Sequence, residues 1–87
     1  KLILLTDVPG VMTNPDDSST LISTLRLHQI PKLTVDKVIK GGMIPKINCC
    51  VESVRMGVKK AHIIDGRIKH SILLELLSKK GIGTEIY

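Results

Sequence analysis

The chain has 87 residues, 13 Lys+Arg against 8 Asp+Glu and therefore a formal charge of +5, with 43% apolar residues. That length allows one small domain or a piece of a larger one, and the 12 Ile, 11 Leu and 7 Val exclude a disordered tail. Tyr87 is the single aromatic residue, which argues against single-strand nucleic-acid modules built on stacking platforms.

Leu2–Thr6 is a continuous apolar run stopped by Asp7-Val8-Pro9-Gly10, the pattern of a short strand buried on both faces. Asn14-Pro15-Asp16-Asp17-Ser18-Ser19 is a turn cluster. Beyond it, Leu21, Ile22, Leu25 and Leu27 fit a short strand or an edge segment, and periodicity does not decide between them. Thr34 suits the N-cap of a short helix over residues 35–40, ended by Gly41-Gly42. Pro45 belongs in the first turn of the next helix, where its missing N–H has no intrahelical partner. Ile47, Cys50, Val51 and Val54 recur at three- and four-residue spacing, giving one apolar stripe over residues 45–56 that Gly57 ends.

Ala61–Asp65 reads as a second strand, closed by Asp65-Gly66. Residues 71–79 read as a helix with Ile72, Leu73, Leu76 and Leu77 turned inward and Gly81 at its C-terminal stop. Residues 83–87 supply a last strand. Short strands alternating with helices indicate an α/β layered fold with a mostly parallel sheet. No internal repeat or linker divides the chain.

Three segments carry residues suited to chemistry. The first is Thr6-Asp7-Val8-Pro9-Gly10-Val11, a loop at the C-terminal end of a strand, where open α/β sheets bind ligands. Asp7 can accept hydrogen bonds from a ribose or order the loop, and Gly10 lets backbone approach a ligand closely. Taken alone, Asp-x-Pro-Gly favours a simple turn. The second is Gly41-Gly42-Met43-Ile44-Pro45-Lys46, in which two glycines lead into a helix with a lysine in its first turn. Backbone N–H groups, the helix N-terminus and a mobile cation together suit a phosphate. A lysine there opposes the helix dipole unless an anion visits. A glycine helix entrance with a solvated lysine explains the segment equally well, and the P-loop pattern GxxxxGK[ST] is absent. The third is His62, Asp65, Arg67, His70 and Glu75 with Gly81-Ile82-Gly83-Thr84; it has no metal spacing, and on residues alone His62 fits the core and Glu75 a solvated helix position.

No apolar run approaches the roughly 18 residues a membrane span needs, and the first residues lack the length and cleavage pattern of a secretory signal. The adjacent Cys49 and Cys50 form neither a disulfide framework nor a CxxC metal site, so a reducing compartment is expected. With no initiator Met and residue 1 already inside an apolar run, the chain is expected to lack its natural beginning. Ten Lys against three Arg, and Ala61 as the sole alanine, suit an AT-rich genome such as a plastid's.

In order and spacing, KLILLTDVPGV, GGMIPK before an apolar helix, HIIDGR, and H-S-I-L-L-E-L-L with G-I-G-T resemble the acetylglutamate kinases of the amino acid kinase superfamily. The likeness runs over residues 1–87 and is weakest between residues 14 and 37. It implies a three-layer α/β/α sandwich, of which this chain is the C-terminal, nucleotide-binding part. It also implies phosphorylation of the side-chain carboxylate of N-acetyl-L-glutamate by ATP with Mg2+, a step of arginine biosynthesis, with the metal held mainly by the nucleotide. By resemblance, Asp7, Val8, Pro9, Gly10, Val11 and Met12 line the nucleotide site, Gly41, Gly42 and Met43 help enclose it, and Lys46 is the catalytic lysine that stabilises the phosphoryl group in flight. Lys40 departs from the small hydroxyl residue usual before the glycine pair.

The C-terminal third resembles arginine-inhibited members, in which His62, Glu75, Gly81 and Gly83 match the effector site; Lys80 departs from the usual acidic residue there. Such enzymes commonly form hexamers and, in photosynthetic organisms, bind a PII signalling protein. The implied location is the plastid stroma or the bacterial cytoplasm, with no nucleic-acid or membrane partner. The family's substrate loop and second catalytic lysine fall upstream of residue 1, so the 87 residues alone are expected to be inactive. Two alternatives are a non-catalytic nucleotide- or arginine-binding module and another amino acid kinase with a different acid or carbamate substrate. The +5 charge does not argue for nucleic-acid binding, because the lysines are scattered rather than arranged in a stripe.

Overall fold

A computed structural model describes residues 1–77 and 82–87. Four strands, β1 (Leu2–Thr6), β2 (Thr24–Leu25), β3 (Ala61–Asp65) and β4 (Thr84–Ile86), form one sheet in the order β1-β3-β4-β2. β1 pairs with β3 and β2 with β4 in parallel, whereas β3 and β4 are antiparallel. Three α-helices accompany them among the described residues: α1 (Ile30–Val35), α2 (Met43–Arg55) and α3 (Ser71–Leu77).

Alternation along β3 assigns the layers. Ala61 and Ile63 share one core with Ile47 and Cys50 of α2, together with Val11, Leu25, Ile39 and Ile86. His62 points the other way, to Glu75 of α3. The helices therefore cover opposite faces of the sheet, the α/β/α arrangement expected. All five β3 residues are buried, as a central strand requires. β1 departs from the expectation of burial on both faces: it is one of the two edge strands among the described residues, and Leu5 is 53% exposed.

α2 ends as its sequence suggests. Gly57 takes a φ of +114°, its N–H bonds the Val54 carbonyl, and the Val58 N–H reaches back to Ser53, which is a Schellman stop. The expected helix over residues 35–40 is not found, because α1 ends where that helix was to begin. Pro31 sits in the first turn of α1, and Thr34 lies inside it, donating to the Ile30 carbonyl at 3.0 Å. The stop has the same geometry as that of α2, with Lys37 N–H on Thr34 and Val38 N–H on Leu33, but Lys37 rather than glycine occupies the left-handed position at φ +60°.

α3 corrects a second expectation. Ser71 and Glu75, one turn apart, are its buried residues, while Ile72, Leu73, Leu76 and Leu77 are all exposed. The inward face is set by Glu75, whose carboxylate takes partners within the fold, and the leucines occupy the remaining faces.

Candidate functional site

The C-terminal ends of β1 and β3 lie side by side, with Thr6 opposite Asp65. The loop leaving β1 is tied down at once: the Thr6 hydroxyl donates to the Val8 carbonyl at 2.8 Å. Farther on, the Val11 N–H donates to the Thr84 hydroxyl at 2.9 Å. Gly10 has a φ of +153°, and a Cβ there would stand 2.7 Å from the Thr84 Oγ1, so the position has no room for a side chain.

This loop and the start of α2 enclose a cavity of about 260 Å3. Of the residues expected at a nucleotide, Asp7, Val8, Gly10, Val11, Met12, Gly42, Met43 and Lys46 line it, whereas Pro9 and Gly41 do not. Pro15, Val38 and Lys40 also line it. Pro15 reads in sequence only as part of a turn, and Val38 as part of a helix that does not form. Lys40 was visible as a departure from a family pattern, and its carbonyl also takes the Met43 N–H at 3.1 Å.

The helix entrance offers fewer donors than its composition suggests. The Ile44 N–H is used by the Gly41 carbonyl at 3.2 Å, and Pro45 has no N–H. Among the described residues the Gly41 and Gly42 N–H groups donate no hydrogen bond, so these two remain for an anion. Gly41 has a left-handed φ of +56°, which the turn into α2 demands. A Cβ at Gly42 would meet nothing within 4 Å, so the space beside it is open. Lys46 Nζ lies 4.0 Å from the Asp7 Oδ1, whose side chain is 85% exposed. That is a loose, solvent-screened contact that leaves the ammonium available.

Beside the cavity, Asp65 is buried and receives three hydrogen bonds from Arg67: from its backbone N–H, Nε and a terminal nitrogen, at 2.9, 2.9 and 2.8 Å. The Arg67 side chain, then its N–H, hold the Asp65 carboxyl below the usual carboxylate range, and the same pairing raises Arg67. On α2, burial, with Cys49 beside it, pushes the Cys50 thiol up to about 11. Among the described residues, no group of three or more His, Cys, Asp or Glu is placed to hold a metal ion.

The third segment is organised differently. His62 Nδ1 and Glu75 Oε1 face each other, with the residues 2% and 8% exposed. The other Glu75 oxygen accepts from the Ile82 N–H at 2.8 Å. The solvated position expected for Glu75 on residues alone is thus corrected, because its carboxylate is bound into the fold. A Cβ at Gly83 would collide with the Ile63 carbonyl, which gives that glycine a packing reason. Gly81 lies outside the described residues. Thr84 escaped notice as a partner of the first loop because its contacts span most of the chain.

A profile of the amino acid kinase family matches residues 1–65. A protein named acetylglutamate kinase from Clostridium beijerinckii is 75% identical over 87 residues, covering 100% of this chain and 30% of that protein. Proteins of the same name from Methanobrevibacter smithii and Archaeoglobus fulgidus are 56% and 55% identical, over 100% and 99% of this chain and 30% of each relative. The chain therefore spans about 30% of the length of the curated relatives it matches. These relatives are bacterial and archaeal, and the plastid location finds no support among them.

Proposed function

The chain belongs to the amino acid kinase family, and from that membership we propose that it supplies the C-terminal, nucleotide-binding part of an acetylglutamate kinase. The reaction is transfer of the γ-phosphoryl group of ATP to the side-chain carboxylate of N-acetyl-L-glutamate. A carboxylate oxygen forms the new P–O bond as the bond to ADP breaks. The observation that carries this reading is the meeting of the 7–12 loop, Gly42, Met43 and Lys46 on one cavity.

Lys46 acts on the charge of the transferring group. Its nearest carboxylate is only loosely engaged, so an incoming phosphate takes the ammonium without breaking a strong pair. The phosphate also offsets the unfavourable placing of a cation in the first turn of α2. The Gly41 and Gly42 N–H groups can bind phosphate oxygens, and Lys40 adds positive charge at the rim.

Asp7 is the sole carboxylate lining the cavity among the described residues, which fits a Mg2+ ion carried on phosphate oxygens rather than in a protein cage. Bound there, that ion would neutralise phosphate charge. The carboxylate substrate rests on the resemblance and on the relatives' names, whereas a hexameric assembly and a PII partner rest on the resemblance alone. Arginine inhibition through His62 and Glu75 requires their mutual contact to open, since both Glu75 oxygens are occupied. The relatives' bacterial and archaeal sources support a cytoplasmic location in such an organism.

The test is a hybrid enzyme in which these 87 residues replace the matching stretch of the Clostridium beijerinckii protein. It should release ADP in dependence on N-acetyl-L-glutamate. Lys46→Ala should lower kcat by about 10²–10³-fold with KM for ATP within about twofold, the signature of an interaction made in the transition state. An inactive hybrid that still binds nucleotide or arginine by calorimetry would replace this reading with a non-catalytic module.

A further inference from the structure

The Val11 and Ile22 backbones run antiparallel beside each other, next to a bridge between Met12 and Leu21. The Ile22 N–H donates to the Val11 carbonyl at 2.8 Å, so the two residues begin an ordinary hydrogen-bonded pair. The reciprocal bond is not made directly. The Thr84 hydroxyl stands in its place, accepting from the Val11 N–H at 2.9 Å and donating to the Ile22 carbonyl at 2.7 Å. Thr84 is 0% exposed, lies on β4 rather than on the loop, and does not line the cavity.

We propose that Thr84 is a positioning residue for the nucleotide: its hydroxyl, set between Val11 and Ile22, fixes how far the 7–12 loop stands from the sheet and thereby the shape of the cavity. The inference rests on the nucleotide reading given above. A single hydroxyl serves both as the acceptor that one strand needs and as the donor that the other needs. Removing it strands a buried N–H and a carbonyl, or lets the two backbones close onto each other. The first outcome loosens the hold on the loop residues Gly10, Val11 and Met12, which form part of the cavity wall, and the second moves them. Gly10 completes the clasp from the loop side, since a Cβ there would stand 2.7 Å from the same oxygen.

Thr84→Val keeps the shape of the side chain and removes both bonds, whereas Thr84→Ser keeps both bonds and removes only a methyl group. In the hybrid enzyme, Thr84→Val should raise KM for MgATP by about tenfold, because binding must then restore a loop position that the parent already holds. Its kcat and its KM for N-acetyl-L-glutamate should stay within about twofold of the parent. Thr84→Ser should match the parent, and exchange of the Val11 amide hydrogen should be faster in Thr84→Val without nucleotide.

A purely structural residue would lower melting temperature and active fraction and leave KM unchanged, and that result overturns the inference. So does Thr84→Ser behaving like Thr84→Val. If Thr84→Val does not accumulate as folded protein, Gly10→Ala tests the clasp from the other side, and a parent-like KM for MgATP then overturns it. Calorimetry with MgADP separates the two levels. A parent hybrid that binds no MgADP overturns the nucleotide reading itself. A parent that binds it, with Thr84→Val binding equally tightly, overturns the positioning role alone.

Discussion

Lys46 and Glu75 stand on helices packed against opposite faces of β3 and are held in opposite ways. The Lys46 ammonium is 4.0 Å from an exposed carboxylate, beside open space and two backbone N–H groups without partners among the described residues. Glu75 is buried, with one oxygen on His62 and the other on the Ile82 N–H. A charge left at a wet rim costs little to keep and can be surrendered to a ligand. A charge taken out of water must be satisfied by the protein, and becomes part of what holds the fold. The same kind of truncation should therefore damage rate at one site and stability at the other.

The largest stability effect is expected at Glu75. Glu75→Ala should cost about 3 kcal/mol in denaturant unfolding, because it strands the Ile82 N–H and removes the buried carboxylate that faces His62. A melting curve like that of the parent would break the comparison. Gly83→Ala should cost about 2 kcal/mol by forcing β4 away from the Ile63 carbonyl, measured in the same way. Lys46→Ala, severe for kcat, should change stability by less than about 0.5 kcal/mol, since it removes only a screened contact and a cation unfavourable to the helix dipole.

The acid limb sharpens the contrast from the Asp65 side. Its carboxyl titrates lower in the folded chain than its ordinary 3.8, so its stabilisation is complete above that value and is lost as pH falls through the lowered one. Asp65→Asn should flatten that part of the stability–pH curve, and an unchanged slope would deny Arg67 its hold. The smallest effect concerns the thiols. Cys49 is exposed, and the buried Cys50 is pushed to about 11, so iodoacetamide at pH 8 should add one label per folded chain by mass spectrometry.

What sequence reasoning could see was local. The apolar stripe of α2, its proline-bearing first turn and its Gly57 stop all follow from residues within a few positions of one another. The glycine-lysine entrance and the loop after β1 stood out as segments for the same reason, but on local residues each was explained as well by a plain turn or helix entrance; that they line one cavity was implied only by the family resemblance. The end of α1 was hidden because Lys37 occupies a position where glycine is the usual signal. The facing of α3 was hidden because four leucines outweigh one glutamate in any apolar pattern, although the glutamate finds its partners on the sheet face beneath it and at the entry to β4. Thr84 shows the limit most clearly, since nothing near it in sequence announces that its hydroxyl completes a pairing between two distant segments.

The strand order has a consequence for how the sheet is assembled. β4 lies between β3 and β2, and the two strands it joins do not touch each other as neighbours in the sheet. During synthesis β2 leaves the ribosome long before β4, its partner strand among the described residues, exists, while β1 and β3 can already zip together in parallel. Closure of the sheet therefore waits on a late, sequence-distant event, the kind of loop closure that slows folding. Until residues 84–86 arrive to take the gap, Leu25 lacks the neighbour that seals it into the core, and the wall of the cavity lacks the hydroxyl that sets it.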